Sequence, residues 1–131
     1  MLTLSEPLRQ FVQEVFPVIV GTRRRDGTVQ MNPVWFEYDA GYFWLNSWRG
    51  ANWLEHVERD PDVTLLLLDP KNMYRWAQVQ GQVVTTTTEG ADEHIDRLSL
   101  RYIGQPYQNR RADVQRVTIQ IEPVRITGAL A

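Results

Sequence analysis

Asp26-Gly27, set between an extended run from Val18 to Arg25 and a second from Thr28 to Tyr38, constrains this chain most. An Asp-Gly pair between two extended runs is a strong hairpin signal, so the flanking runs are expected to fold back antiparallel. The same punctuation recurs downstream. Asp39-Ala40-Gly41 turns the second run into a third, Tyr42 to Asn46. Asp62 to Asp69 carries VTLLLL, a short continuous apolar run of the kind that forms a strand buried on both faces. Pro70-Lys71-Asn72 breaks it, and Tyr74 to Thr87 gives another long β run in which Gly81 predicts a bend or bulge. Val114 to Thr127 alternates as a final strand.

Helical patterns separate these runs at three places. Thr3-x-x-Glu6 reads as a capping box before Leu8, Phe11, Val12 and Val15, and Pro17 ends that helix. Ala51 to Arg59 is a short helix with Leu54 and Val57 on its inner face. Glu89 to Ile103 is a longer one, capped by Thr88, with Ala91, Ile95, Leu98 and Tyr102 along one face; Gly104-Gln105-Pro106 stops it. A polar, Arg-containing loop, Pro106 to Asp113, follows. Six or so strands with three helices and no βαβ rhythm predict an α+β domain built on a small antiparallel barrel. At 131 residues the expectation is one domain, spanning 1–131.

Composition excludes several chemistries. There is no cysteine, hence no disulfide, thiolate metal site or thiol nucleophile, and two histidines, His56 and His94, rule out a histidine-rich metal centre. A net charge of −2 gives no electrostatic footprint for nucleic acid. No apolar run reaches the ~20 residues of a membrane span, and MLTLSEPLRQ lacks the charged leader and apolar core of a signal peptide, so the cytoplasm is the expected location. His56 follows the turn on a helix and His94 lies among charges on another, settings typical of surface histidines, and neither is assigned a role.

The strongest candidate for a site is YFWLNSWRGANWLEHVERDP, Tyr42 to Pro61. A strand runs through Ser47 into Arg49-Gly50 and then into a helix. A helix start is electropositive and leaves amide N–H groups open, so an anion suits the turn. Arg49 is the basic residue best placed to help, while Arg23-Arg24-Arg25 at the hairpin tip must split between faces, since successive strand residues point to opposite sides. Trp35, Trp44 and Trp76 lie in strands, as core or interface residues do; Trp48 and Trp53 flank the glycine turn, where a core role is less natural. Tyr107 and Arg110, in the late loop, are candidates to reach a groove or ligand.

The ordered set formed by the Asp-Gly hairpin, NPVWFEYD, Asn46-Ser47, Gly50, RDPDVTLLLLDP, RWAQVQGQVV, TEGADEHIDRLSLRYIG and IEPVRI resembles the split β-barrel flavin and deazaflavin proteins related to pyridoxamine 5′-phosphate oxidase, and most of all their F420-dependent branch. The similarity runs from Phe16 to Ile126. It implies a six- to seven-stranded antiparallel split barrel with peripheral helices. It also implies a homodimer with its cofactor in a groove between subunits, and hydride transfer from F420, or alternatively FMN, to a small organic acceptor. By the same resemblance the cofactor-binding residues are Asn32, Pro33, Val34 and Trp35, then Asn46, Ser47, Trp48, Arg49, Gly50, Ala51, Asn52 and Trp53, then Tyr74, Trp76 and Gln78. The cofactor carries the hydride, so no catalytic side chain and no metal ligand is expected.

One departure stands out. The family usually follows the strand with Gly-Arg-x-Lys, whose basic side chains hold the cofactor phosphate; here Gly50 is followed by Ala51, Asn52 and Trp53. Two charge-assisted contacts of ~1.5–3 kcal/mol each are missing. Either the anion is held differently or the cofactor is not the usual one, and a non-enzymatic flavin- or haem-binding barrel, or a structural dimer, is the alternative from another class.

Overall fold

The computed structural model describes residues 2–131. Its strands are β1 (Val18–Arg23), β2 (Val29–Val34), β3 (Phe36–Asp39), β4 (Tyr42–Trp48), β5 (Asp62–Asp69), β6 (Asn72–Thr87) and β7 (Arg116–Thr127), and its helices are α1 (Glu6–Phe11), α2 (Asn52–Arg59) and α3 (Ala91–Ile103). All strand pairs are antiparallel, in one seven-stranded sheet of order β2-β1-β5-β6-β7-β4-β3. β2 and β3 lie at opposite edges of that sheet, yet only Trp35 separates them in sequence. One residue spans roughly 3.5 Å, so the sheet must curl until its edges meet. This is the expected α+β split barrel.

The curl has visible causes. Along the β6–β7 ladder the register shifts at Gln80/Gly81 and again between Val83 and Thr85. A Cβ on Gly81 would stand 2.5 Å from Ile121 Cγ2 and 3.1 Å from the Glu122 carbonyl oxygen, so the two strands approach where only glycine fits. Inside the curl, Val18, Val20, Phe36, Phe43, Leu45, Leu65, Leu67, Val79, Ile119 and Ile121 are wholly buried, and α1 contributes Leu8 and Phe11. α2 closes one mouth of this core with Trp53, Leu54 and Val57.

Several local expectations shift. Ser5, not Thr3, caps α1, accepting a hydrogen bond from the Leu8 amide; the helix ends at Phe11, and Val15 is exposed. The run from Thr28 to Tyr38 is interrupted at Trp35, where the chain crosses from one sheet edge to the other. β4 continues past Asn46 to Trp48 because β7 pairs with it that far. α3 starts at Ala91, after Gly90 in the left-handed region and without a side-chain cap. β5 alternates: Val63, Leu65 and Leu67 face the core, while Thr64, Leu66 and Leu68 are half-buried on the outer face, because an antiparallel sheet curled round one core covers a single side.

Candidate functional site

The β4–α2 junction retains part of what an anion site needs. Gly50 has φ +113°, and a Cβ there would come 2.6 Å from Trp48 Cζ3, so the indole of Trp48 lies over the turn and only glycine fits beneath it. The turn closes with the Ala51 amide donating to the Trp48 carbonyl at 3.0 Å and the Arg49 amide donating to Gln115 at 2.9 Å. Helix geometry leaves the first-turn amides of α2 without intrahelical acceptors, and Ala51 at the N-cap offers no side-chain partner. Those amides fit an oxyanion. Ser47 is buried on the face shared with Phe43 and Leu45, and its Oγ has no hydrogen-bond partner.

Cationic side chains are not free at this junction. Arg49 Nη1 donates to Glu58 Oε1 at 2.6 Å. Ala51 and Trp53, at the positions where the family pattern has Arg and Lys, are both 7% exposed and belong to the core. Trp53 is therefore a packing residue rather than an aromatic wall of an open pocket: helix α2 has 3.6 residues per turn, which puts Trp53 on the same inward side as Leu54 and Val57. Of the hairpin arginines, Arg23 pairs with Asp60 at 2.9 Å and Asp62 at 3.5 Å, and Arg24 donates to the Val29 carbonyl at 3.0 Å.

The remaining expected residues lie in two other parts of the barrel. Asn32, Pro33 and Val34 pair with Val20, Ile19 and Val18 across the β1–β2 ladder. Trp35 stacks on Tyr102, ring centroids 5.2 Å apart, and the Tyr102 hydroxyl donates to the Phe16 carbonyl at 2.6 Å while accepting from the Phe36 amide at 3.1 Å, so α3 pins the strand crossing. Tyr74 is 79% exposed, and Trp76 packs beneath Gly128. Gln78 lines a groove of about 650 Å³ on the outer face of β2, β1, β5 and β6, together with Ile19, Met31, Thr64, Leu66 and Val124. Met31 and Val124 are exposed there. The outward alternation of Gln78, Gln80 and Gln82 in β6 was the available sequence signal for this groove.

A buried polar cluster beneath α3 escaped sequence reasoning. His94 is 3% exposed, not a surface residue. Asn46 fixes its geometry: Asn46 Oδ1 accepts from Arg116 Nε at 2.9 Å, and Nδ2 donates to the Ala91 carbonyl at 3.0 Å. The second Nδ2 proton then faces His94 Nδ1 at 3.2 Å, which makes Nδ1 an acceptor and leaves the ring proton on Nε2. Nε2 lies 3.4 Å from Glu37 Oε1, a contact longer than a well-formed hydrogen bond. Burial opposes ionisation of Glu37, but His94 and Arg97, the latter at 2.5 Å, outweigh it and hold its pKa at about 2. Asn46 is thus engaged inside the protein. Arg110, likewise, is bound to Asp96 at 2.5 Å, and the Tyr107 amide donates to Asp96 Oδ1 at 2.9 Å, which ties the late loop to α3.

Among the described residues no cluster of three or more His, Asp or Glu side chains could hold a metal ion, and no helix is long and apolar enough to cross a membrane. The sequence matches the pyridoxamine 5′-phosphate oxidase family over residues 4–128. Among solved structures, an F420 reductase is 26% identical, with a TM-score of 0.82, over 91% of this chain and 94% of its own. A Listeria innocua protein described as a pyridoxamine 5′-phosphate oxidase (17% identical, TM-score 0.72, 92% and 93% coverage) and HupZ of Group A Streptococcus (18%, 0.67, 98% and 99%) share the fold. No curated protein matches the sequence significantly.

Proposed function

The chain belongs to the pyridoxamine 5′-phosphate oxidase family, and from that premise we propose that it is an oxidoreductase which binds coenzyme F420 and delivers hydride to a small organic acceptor. The observation that carries this reading is the uncapped start of α2 behind the positive-φ Gly50, in a chain more than a quarter identical to an F420 reductase over nearly its whole length. The first-turn amides of α2 would hold the cofactor phosphate, with Trp48 as the nearest exposed ring. When bound, the deazaflavin supplies the hydride; the protein binds it, orients it and excludes water.

The working unit in this reading is a homodimer. Ile19, Leu66, Met31 and Val124 form an apolar floor on the open outer face of the sheet, a patch that a second copy would cover. The expected cofactor residues are spread over three parts of the barrel, which suits a site completed by a partner.

Titration of the purified protein with F420 and FMN in parallel, read by tryptophan fluorescence, tests the cofactor. Quenching by F420 at micromolar concentrations, followed by oxidation of F420H2 in the presence of acceptor, is the expected result. Preference for FMN would move the protein to the flavin enzymes, and silence toward both would end the oxidoreductase reading.

A further inference from the structure

We propose that Glu58 is a specificity-determining residue: by engaging Arg49 it withholds the one guanidinium of the β4–α2 junction from the cofactor phosphate, so this chain grips its cofactor mainly through ring contacts. The inference deepens the reading above and rests on it.

Between Asn46 and Trp53 the sole basic side chain is Arg49. Its reach decides whether a bound phosphate meets a cation or only amides. Glu58 is the seventh residue of α2, about 9 Å of helix rise beyond Asn52. The 2.6 Å contact with Glu58 Oε1 therefore draws the guanidinium along the helix, away from the first-turn amides. Glu58 is itself held from the other side, because Thr86 Oγ1 of β6 lies 3.4 Å from its Oε2. A carboxylate tethered at both oxygens is a defined competitor for Arg49 rather than a passing contact. The competition can be overcome, since both side chains are partly exposed, 44% for Arg49 and 31% for Glu58, and exposed pairs are weak. Releasing Arg49 should therefore change affinity severalfold, not by orders of magnitude.

The arrangement makes a discriminating prediction. FMN and riboflavin share a ring and differ by a phosphate, so an effect of Arg49 on the phosphate appears with FMN and vanishes with riboflavin. Glu58→Gln keeps the size of the side chain and removes its charge. Dissociation constants for F420, FMN and riboflavin would be measured by tryptophan quenching on the wild type, E58Q, R49A and the double variant, with thermal melts confirming that all four fold. We expect E58Q to tighten F420 and FMN about two- to fivefold, within the worth of one exposed ion pair, and to leave riboflavin unchanged. R49A alone should change the two phosphate ligands little, because Glu58 already withholds Arg49, and E58Q should have no effect in the R49A background.

Binding of F420 or FMN that E58Q does not alter overturns the role of Glu58 and leaves the cofactor assignment standing. Equal tightening of riboflavin also overturns it, since the change would then act on the ring pocket. Binding seen only in E58Q supports it. No binding by any variant overturns both this role and the oxidoreductase reading. Should E58Q fold poorly, Glu58→Lys, which repels Arg49, gives the same expected ordering.

Discussion

Asn46 and Ser47 are neighbours on β4 and face opposite sides of the sheet, and the protein treats the two sides differently. Beneath α3, Asn46 bridges Arg116, the Ala91 carbonyl and His94 Nδ1, and Glu37 pairs with Arg97 beside His94. Across the strand and at its end, Ser47 Oγ lacks a partner and the first turn of α2 is uncapped. Buried polar groups without partners are costly, and both sides of β4 carry them: Ser47 Oγ on one, His94 Nε2 and Ser99 Oγ on the other. What separates the sides is the ordered side-chain network under α3 against the uncapped helix start at α2, the end that the proposed function gives to a ligand. The contrast also assigns roles to residues that composition cannot separate, such as two buried positions one peptide apart.

The largest test of that contrast is Trp53→Lys, which restores the basic residue of the family pattern. Trp53 is in the core, and emptying a buried tryptophan site while placing a charge there should cost about 4 kcal/mol in urea or thermal unfolding. A stable W53K that bound FMN more tightly would show that the junction can switch to a cationic clamp, and the contrast would blur. Acid unfolding comes next. Glu37 ionises at about 2 in the folded chain against an ordinary 4.5, so its contribution is fully present above about pH 4.5 and is lost as pH falls toward 2. The shift corresponds to at most roughly 3 kcal/mol. Glu37→Gln should flatten the pH dependence of stability between those limits, and an unchanged profile would remove Glu37 from the network's electrostatics.

Asn46→Leu should follow at about 2–3 kcal/mol, because it removes the side-chain partner of the Ala91 carbonyl and of Arg116 Nε and leaves His94 Nδ1 with the Thr118 hydroxyl alone. Affinity for F420 or FMN should not change in the folded fraction. A selective loss of cofactor binding with stability intact would instead return Asn46 to the ligand, where the family resemblance had placed it.

These residues also show what the sequence could and could not disclose. Strand order near turns was legible because Asp26-Gly27 and Asp39-Ala40-Gly41 act over a few residues, and Gly81 announced the bend it makes. The crossing at Trp35 was not, since tryptophan is a good strand former and the break is imposed by closure of the sheet, a long-range condition. His94 was misread because its sequence neighbours Asp92, Glu93 and Asp96 are charged, while Glu37 and Thr118, which face it, come from distant strands. At the junction, the absence of Arg and Lys was plain from Ala51 and Trp53. That Arg49 would find Glu58 was not, because a long side chain reaching across two helical turns leaves no mark in the spacing.

Gly50→Ala gives the smallest and most local test. The substitution places a Cβ at φ +113°, outside the range L-residues adopt readily, and brings it 2.6 Å from the Trp48 ring. Trp48 is 43% exposed and can swing away, so the steric part relaxes and the backbone strain remains, about 1–2 kcal/mol. Stability alone would not distinguish a structural turn from a binding turn. The two differ in where the strain is relieved. If the turn only connects β4 to α2, G50A should bind FMN and riboflavin as the wild type does once folded. If the turn positions the α2 amides on the phosphate, a shifted first turn of α2 and a rotated Trp48 indole should weaken FMN more than riboflavin. The ratio of those two affinities, rather than either alone, reads out whether the open side of β4 is a ligand site.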